Sequence, residues 1–126
     1  MNGQSCENWR LLCDPPLTGA RNMAVDEALL RAIGAGEAPP TLRLYDWIPP
    51  TLSLGFGQPL RDVDQLRLHE RGWGLVRRLT GGRAILHTDE QTYSITVPVT
   101  HALAQGSIVE SYRRISAALG SAARAL

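Results

Sequence analysis

The chain has 126 residues, of which 44% are hydrophobic and 20% are charged, and its formal net charge at pH 7 is +1. These values predict a single soluble globular domain, or part of one. The near-neutral charge argues against a general attraction to nucleic acid or to a membrane surface, so we expect neither as a partner. No segment reaches the roughly 20 apolar residues of a membrane span, and no secretory signal is visible at the start of the chain. These absences predict a cytoplasmic protein.

The basic residues are all arginine, 13 in number. The sequence therefore offers no lysine as a catalytic amine or as a phosphate clamp. Its cysteines, Cys6 and Cys13, form no Cys-x-x-Cys pair, and the histidines are scattered, so no metal site is predicted. Cys13 lies beside an apolar residue and a proline-rich turn, and we expect it to be a small buried hydrophobic residue rather than a nucleophile.

Hydrophobic periodicity divides the chain into short elements. A strand over 9–13 precedes a helix over 18–33, in which Val25, Leu29 and Ile33 recur at helical spacing. Asp26 and Glu27 flank this stripe and are candidates to anchor the helix to an arginine. Further strands are predicted over 41–47, 51–57, 74–79, 83–87 and 91–97, with a helix over 62–71 and another capped by Ser107.

Two of these strands carry specific predictions. In 41–47, Leu42 and Leu44 alternate with Arg43 and Tyr45, which predicts one buried apolar face and one half-polar face. The adjacent glycines at 81–82 predict a turn that pairs 83–87 back on 74–79 as a hairpin.

The central segment reads Arg77-Arg78-Leu79-Thr80-Gly81-Gly82-Arg83-Ala84-Ile85-Leu86-His87. Guanidiniums and an imidazole around a double glycine are typical of a pocket for a phosphate or carboxylate, since glycine amides can approach an anion closely. Arg77 and Arg78 point to opposite faces of a strand, so only one of them can face such a pocket. A plain hairpin with solvated arginines is the alternative interpretation.

Other nucleotide and hydrolase motifs are incomplete. Gly55-Phe56-Gly57 lacks the third glycine of a dinucleotide fingerprint and runs into a proline. The double glycine is not followed by the Lys-Ser/Thr pair of a Walker A loop. A triad of Ser94, His87 and Asp89 has no nucleophile elbow to support it.

Taken together, the segments resemble the biotin/lipoate protein ligase and octanoyltransferase superfamily. The resemblance covers nearly the whole chain. It rests on four segments: Asn22-Met23-Ala24-Val25-Asp26-Glu27-Ala28-Leu29-Leu30, Leu42-Arg43-Leu44-Tyr45-Asp46-Trp47, Ser53-Leu54-Gly55, and Arg77 to His87 with Glu90-Gln91-Thr92-Tyr93-Ser94 after it. The Arg-Arg-x-Thr-Gly-Gly-Arg-Ala form is closest to octanoyltransferases of lipoate assembly.

The resemblance implies a two-layer α+β fold of the class II synthetase and biotin-ligase type, with a mixed, mostly antiparallel sheet flanked by helices. It implies transfer of an octanoyl or lipoyl group to a lysine of a lipoyl carrier domain. That acceptor would be the glycine-cleavage H protein or a 2-oxoacid dehydrogenase E2, and the donor an acyl thioester such as octanoyl-acyl carrier protein. No permanently bound cofactor is implied; ATP with Mg²⁺ enters only in the ligase version.

The resemblance also implies a substrate-binding role for residues in three parts of the chain. The acyl chain would be walled by one aromatic residue and the strand after it, and the polar end would be held by the central segment. These residues are Tyr45, Ser53, Gly55, Arg77, Arg78, Thr80, Gly81, Gly82, Arg83, Ala84, Ile85, Leu86 and His87.

The chain departs from the family at the catalytic groups. The family's lysine and the transferase's cysteine lie downstream of this region, so we expect both beyond Leu126 and read 1–126 as the N-terminal portion of a truncated catalytic domain. Thr88 also stands where the family usually has an aspartate. Two alternatives remain open: a non-catalytic half-domain that binds an acyl group or a partner, and an ATP-dependent lipoate or biotin ligase.

Overall fold

The structure is a computed structural model that describes residues 7–125. The predictions for Cys6 lie outside this range. The chain forms six strands, three α-helices and two 3-10 turns within it. The strands are β1 (Arg10–Cys13), β2 (Thr41–Tyr45), β3 (Thr51–Leu54), β4 (Gly74–Arg77), β5 (Ile85–His87) and β6 (Thr92–Thr96). The helices are α1 (Gly19–Gly34), α2 (Gln65–Glu70) and α3 (Ile108–Arg124), and the 3-10 turns are Leu60–Asp62 and Ala102–Ala104.

The strands form two three-stranded sheets, with the orders β1-β2-β6 and β4-β3-β5. In each sheet the central strand has one parallel and one antiparallel neighbour. The predicted α+β class with mixed strand pairing is confirmed, although the strands divide between two sheets. Leu17 and Trp47 add an isolated bridge beside the first sheet.

The predicted hairpin of 74–79 with 83–87 is wrong. β5 pairs antiparallel with β3, which pairs on its other side, in parallel, with β4. β3 therefore lies between the two segments that the double glycine connects. The connection is longer than a hairpin turn because it must cross the end of β3.

The buried face of β2 is also the reverse of the prediction. Thr41, Arg43 and Tyr45 are buried, whereas Leu42 and Leu44 are only half-buried. A fully buried arginine is tolerated because carboxylates compensate its charge. These come from Asp14 and Asp26, outside the strand.

Helix α1 begins and ends close to its predicted bounds. The Thr18 side chain accepts from the Arg21 amide and caps the helix, while Leu29 and Ile33 are buried. The predicted anchor is confirmed for Asp26, whose carboxylate lies 3.0 Å from the Arg43 guanidinium. Glu27 instead pairs with Arg31 one turn along the same helix.

Helix α3 has the predicted Ser107 cap, extended to a full capping box with Glu110. No residue of the helix that the structure describes is buried. Its apolar residues Ile108, Val109 and Tyr112 are 76%, 58% and 62% exposed. Between α3 and β6 lies an open apolar groove of about 300 Å³.

Cys13 is exposed, so the prediction that it is a buried residue is wrong. It stands at the end of β1, where alternate residues face outward.

Across residues 7–125, no helix is both long enough and apolar enough to span a membrane.

Candidate functional site

Apart from Tyr45, the predicted site residues lie in or next to residues 78–84, which we call the glycine loop. The loop crosses the end of β3, where the Phe56 amide donates to the Thr80 carbonyl at 2.9 Å. Gly55 lies so close to Gly82 that a Cβ on Gly55 would overlap the Gly82 carbonyl oxygen. Gly82 itself has a φ of +90°, a conformation that favours glycine. The loop therefore needs glycine at both positions, one for close approach and one for the turn.

Arg78 fastens the glycine loop to β3. Its Nη1 donates to the Ser53 carbonyl at 2.9 Å and to the Ser53 hydroxyl at 2.7 Å. Its Nη2 donates to the carbonyls of Gly81 and Arg83 at 3.0 and 2.9 Å. The guanidinium is thus occupied by four acceptors of the protein and holds the loop's shape.

Arg77 performs the corresponding role on the other side of β4. Its Nη1 donates to the carbonyls of Gly55, Phe56 and Gln58, at 2.9, 3.1 and 2.6 Å. The segment that follows β3 is therefore held by this side chain. Both arginines of the pair act as anchors of backbone carbonyls in this structure.

Arg83 differs from both of them. Its side chain is exposed and makes no hydrogen bond or ion pair with any residue of 7–125. The amides of Gly81, Gly82 and Arg83 likewise donate to no acceptor in that part of the chain. The loop thus presents three free N–H groups and one free guanidinium, a combination that suits an anion or a polarised carbonyl oxygen.

An apolar surface follows directly on the polar loop. Ile85 and Leu86, on the edge strand β5, are 46% and 40% exposed, and Ala84 before them is half-buried. Leu79 at the loop's start is 42% exposed. A ligand with a polar end and an aliphatic tail would match a polar loop that is followed by an apolar strand.

Behind the loop, His87 lies in a buried chain of hydrogen bonds. Its Nε2 is 2.7 Å from the Ser53 hydroxyl, and its Nδ1 is 2.5 Å from Glu90 Oε1. The Thr92 hydroxyl donates to the same Glu90 oxygen at 2.9 Å. His87 and Ser53 are buried, at 4% and 0% exposure. We call Ser53, His87 and Glu90 the relay.

The relay does not form a hydrolytic centre, although its residue types match one. Ser53 is closed to solvent, and its hydroxyl oxygen accepts a hydrogen bond from Arg78 at 2.7 Å. The weakly supported triad of Ser94, His87 and Asp89 is not formed either. Ser94 instead donates to Asp26 at 2.9 Å.

Trp47 joins the relay to the first sheet. Its ring stacks on the His87 imidazole with 4.0 Å between centroids, and its Nε1 donates to the Thr92 hydroxyl at 2.7 Å. His87 is therefore confined between an indole face on one side and hydrogen bonds at both ring nitrogens.

Electrostatics favours an ionised Glu90. Partial burial would by itself raise the pKa of Glu90, but hydrogen bonds from His87 and Thr92 outweigh it, and the pKa lies below its ordinary 4.5. The carboxylate is thus an acceptor for both neighbours near neutral pH.

Tyr45 stands apart from the glycine loop. It is 3% exposed, its hydroxyl donates to Asp26 at 3.0 Å, and the Arg43 guanidinium lies 4.0 Å from its ring centroid. Burial, followed by the negative charge of Asp26, raises its pKa strongly. Its link with the site runs through Trp47, 5.6 Å away between ring centroids.

No group of three or more His, Cys, Asp or Glu side chains suited to a metal ion occurs between residues 7 and 125. At the glycine loop, the described residues present N–H donors, a guanidinium and an apolar strand.

The sequence model of the lipoyl protein ligase A/B catalytic domain matches residues 18–126. The chain belongs to this family. An octanoyltransferase LipM from Moorella thermoacetica is 50% identical over 121 residues, which are 95% of this chain and 44% of that protein. The chain thus spans less than half of the length of this relative.

Solved structures of lipoyl ligases share the fold. A bi-partite lipoate protein ligase from Thermoplasma acidophilum, described together with its E2 lipoyl domain, superposes with a TM-score of 0.62 at 30% identity, over 71% of this chain and 35% of that one. A lipoate-protein ligase A bound with ATP gives a TM-score of 0.56 at 31% identity, over 71% and 36% of the two chains.

Within this lipoyl ligase family domain, sequence reasoning missed the partners that hold the site. Glu90 and Trp47 were seen only as parts of motifs. Their neighbours in space, His87 and Thr92, give them a role that spacing along the chain does not show. The one signal in the sequence for these partners was the half-polar pattern of β6. Its Thr92 and Ser94 hydroxyls form hydrogen bonds with Trp47 and Asp26.

Proposed function

We propose that this chain supplies the acyl-binding part of an enzyme that transfers an octanoyl or lipoyl group to a lysine of a lipoyl carrier domain. The observation that carries the proposal is the glycine loop. Its free amides and Arg83 lie next to the exposed residues Ile85 and Leu86. The loop would hold the carbonyl or phosphate end of the acyl compound, and β5 would lie along its aliphatic chain.

The relatives indicate which reaction to expect. The match to an octanoyltransferase favours an acyl thioester as donor, for which octanoyl-acyl carrier protein is our candidate. The Thermoplasma ligase, described with an E2 lipoyl domain, supports a lipoyl domain as acceptor, whether of an E2 or of a glycine-cleavage H protein. Because residues 1–126 contain no lysine, any lysine that takes part in the reaction would have to come from another part of the enzyme.

A second candidate is an ATP-dependent lipoate ligase. The structural match to a ligase bound with ATP supports it. Arg83 and the loop amides suit the phosphate of an acyl-adenylate as well as they suit a thioester carbonyl, so the loop alone does not separate the two reactions.

The test is an acyl-transfer assay on the full-length gene product. Octanoyl-acyl carrier protein or free lipoate with ATP and Mg²⁺ is supplied, and the mass of an H protein or E2 lipoyl domain is measured. A mass gain from the thioester without ATP supports the transferase. A gain only with ATP supports the ligase, and the absence of any gain with either donor rejects both.

A further inference from the structure

One side chain joins the glycine loop to β3, in addition to the backbone hydrogen bonds from Phe56 to Thr80 and from the Arg78 amide to Leu54. Only Arg78 ties its carbonyls to β3 through a side chain, and the loop's amides at 81–83 make no compensating hydrogen bonds within residues 7–125. A movement of the Arg78 guanidinium would therefore act directly on the Gly81 and Arg83 carbonyls, and through them on the adjacent N–H groups.

Ser53 links this guanidinium to the relay, and the distances around its hydroxyl favour one direction for the hydrogen bonds. Arg78 can only donate, so the Ser53 oxygen accepts from it. The Ser53 hydrogen then goes to His87 Nε2 at 2.7 Å, since the alternative acceptor, the Ile85 carbonyl, is at 3.5 Å.

This direction fixes the histidine as well. An Nε2 that accepts from Ser53 carries no proton, so in this arrangement Nδ1 carries the ring's proton and donates it to Glu90. Every hydrogen bond from Arg78 through Ser53 and His87 then points toward the Glu90 carboxylate. The cation and the anion stand at opposite ends of one ordered chain.

We infer that Glu90, which does not touch the glycine loop, is a positioning residue that sets the loop's geometry through His87, Ser53 and Arg78. The inference rests on the proposed function only for its kinetic consequence. The loop holds one end of the acyl donor before and during reaction, so its displacement weakens binding more than it slows the chemical step.

The first test needs no substrate. In the full-length protein labelled with ¹⁵N, the long-range imidazole correlation spectrum at neutral pH assigns the His87 tautomer. We expect the Nδ1–H form. An Nε2–H form would reverse the hydrogen-bond direction at Ser53 and overturn the inference whatever the enzyme's activity.

The second test compares Glu90→Gln with Asp89→Asn. Both remove one carboxylate from the same segment, but Asp89 is exposed and has no hydrogen bond to the relay among residues 7–125. For Glu90→Gln we expect shifted amide signals of Gly81 and Gly82, and a KM for octanoyl-acyl carrier protein raised about tenfold with a kcat changed less than about threefold. Asp89→Asn should leave the amide signals, the KM and the kcat unchanged.

The outcomes separate the two proposals. If the Gly81 and Gly82 amide signals are the same in Glu90→Gln as in Asp89→Asn, the positioning role is overturned. A Glu90→Gln variant with an unchanged KM and a lower melting temperature would overturn it as well. Shifted amides in an enzyme that transfers no acyl group would support the relay and reject the proposed function.

Discussion

Single residues show how the same side-chain type serves different ends in this fold. Arg43 is fully buried and compensated by two carboxylates, Arg77 and Arg78 hold backbone carbonyls, and Arg83 is exposed without a partner in the described range. Their chemistry is the same, so their roles follow from which acceptors the fold places nearby. This contrast makes two substitutions informative.

Replacing Arg83 by Ala should weaken acyl-donor binding without affecting stability. Loss of one charge-assisted hydrogen bond costs about 1.5–3 kcal/mol, which corresponds to a KM increase of roughly 10- to 100-fold. The melting temperature should not change, because the side chain is exposed and makes no hydrogen bond or ion pair with any residue of 7–125. Arg113→Ala on exposed α3 is the control, and equal KM values for the two variants would contradict the assignment.

Replacing Arg43 by Leu should strongly destabilise the fold. It leaves the Asp26 carboxylate without its cationic partner beside the buried Tyr45, and breaking a buried pair in this way costs about 3–5 kcal/mol. Urea unfolding followed by circular dichroism measures the change. Arg31→Ala breaks an exposed pair with Glu27 and should cost about 0.3–0.5 kcal/mol. A loss at Arg43 no larger than at Arg31 would show that the buried network contributes little.

At the scale of elements, side-chain caps and one close backbone contact determine where segments begin and meet. The glycine loop and β3 meet at Gly55, and helix α3 begins at a reciprocal pair of hydrogen bonds between Ser107 and Glu110. Each feature can be perturbed without altering the rest of its element.

Gly55→Ala should displace the glycine loop. The added methyl group would overlap the Gly82 carbonyl, and overpacking of this kind costs about 1–3 kcal/mol. We expect lower thermal stability together with a loss of acyl transfer. Gly57→Ala is the matched control, because a Cβ there meets nothing within 4 Å. If Gly55→Ala keeps both properties, the close approach of the two segments is not as described.

The α3 cap should respond to acid. Hydrogen bonds from the Ser107 amide and side chain lower the pKa of Glu110 below its ordinary 4.5. A lowered folded-state pKa means that the cap stabilises the helix above 4.5 and loses this contribution as pH falls through the folded value. The ¹³Cα shifts of residues 108–112 should lose helical character as pH drops from 5 to 3. Glu110→Gln should weaken that dependence, and an equal dependence in both proteins would assign the effect to other carboxylates.

The elements also show what could be predicted from sequence. The starts of α1 and α3 were found because Thr18 and Ser107 act on amides three residues away. The partner of β5 was missed because strand pairing is not local, and a double glycine also fits a longer crossing. The buried face of β2 was reversed because the charges that compensate Arg43 come from Asp14, just after β1, and from Asp26 in α1. The motif of the site could be found in the sequence. That Arg83 lacks a partner within residues 7–125, and that Glu90 bonds to His87, could be found only from the contacts in the structure.

At the scale of the whole molecule, the two sheets and α1 enclose the buried residues, while α3 packs mainly against the Ala102–Ala104 turn. The helix keeps an apolar stripe in contact with solvent, next to the groove it forms with β6. A contiguous apolar surface of this kind promotes association of a protein in isolation.

A 126-residue preparation should therefore self-associate with rising concentration, as measured by sedimentation velocity. Ile108→Glu removes an apolar side chain that is 76% exposed and places a negative charge at a helix N-terminus, where it is favourable. We expect it to reduce association. Ser116→Glu adds the same charge at an exposed polar position and should not. If both variants reduce association equally, net charge rather than the stripe is responsible.

The stacking of Trp47 on His87 supplies an optical reporter at the centre of the fold. An excited indole loses emission to a neighbouring imidazolium far more readily than to a neutral imidazole, so Trp47 fluorescence follows the charge on His87. Trp9, which lies against His101 with 5.4 Å between ring centroids, and Trp73, beside Arg71, would add further emission, which Trp9→Phe and Trp73→Phe remove. The protonation of His87 can then be followed by a fluorescence titration that needs no label and no substrate.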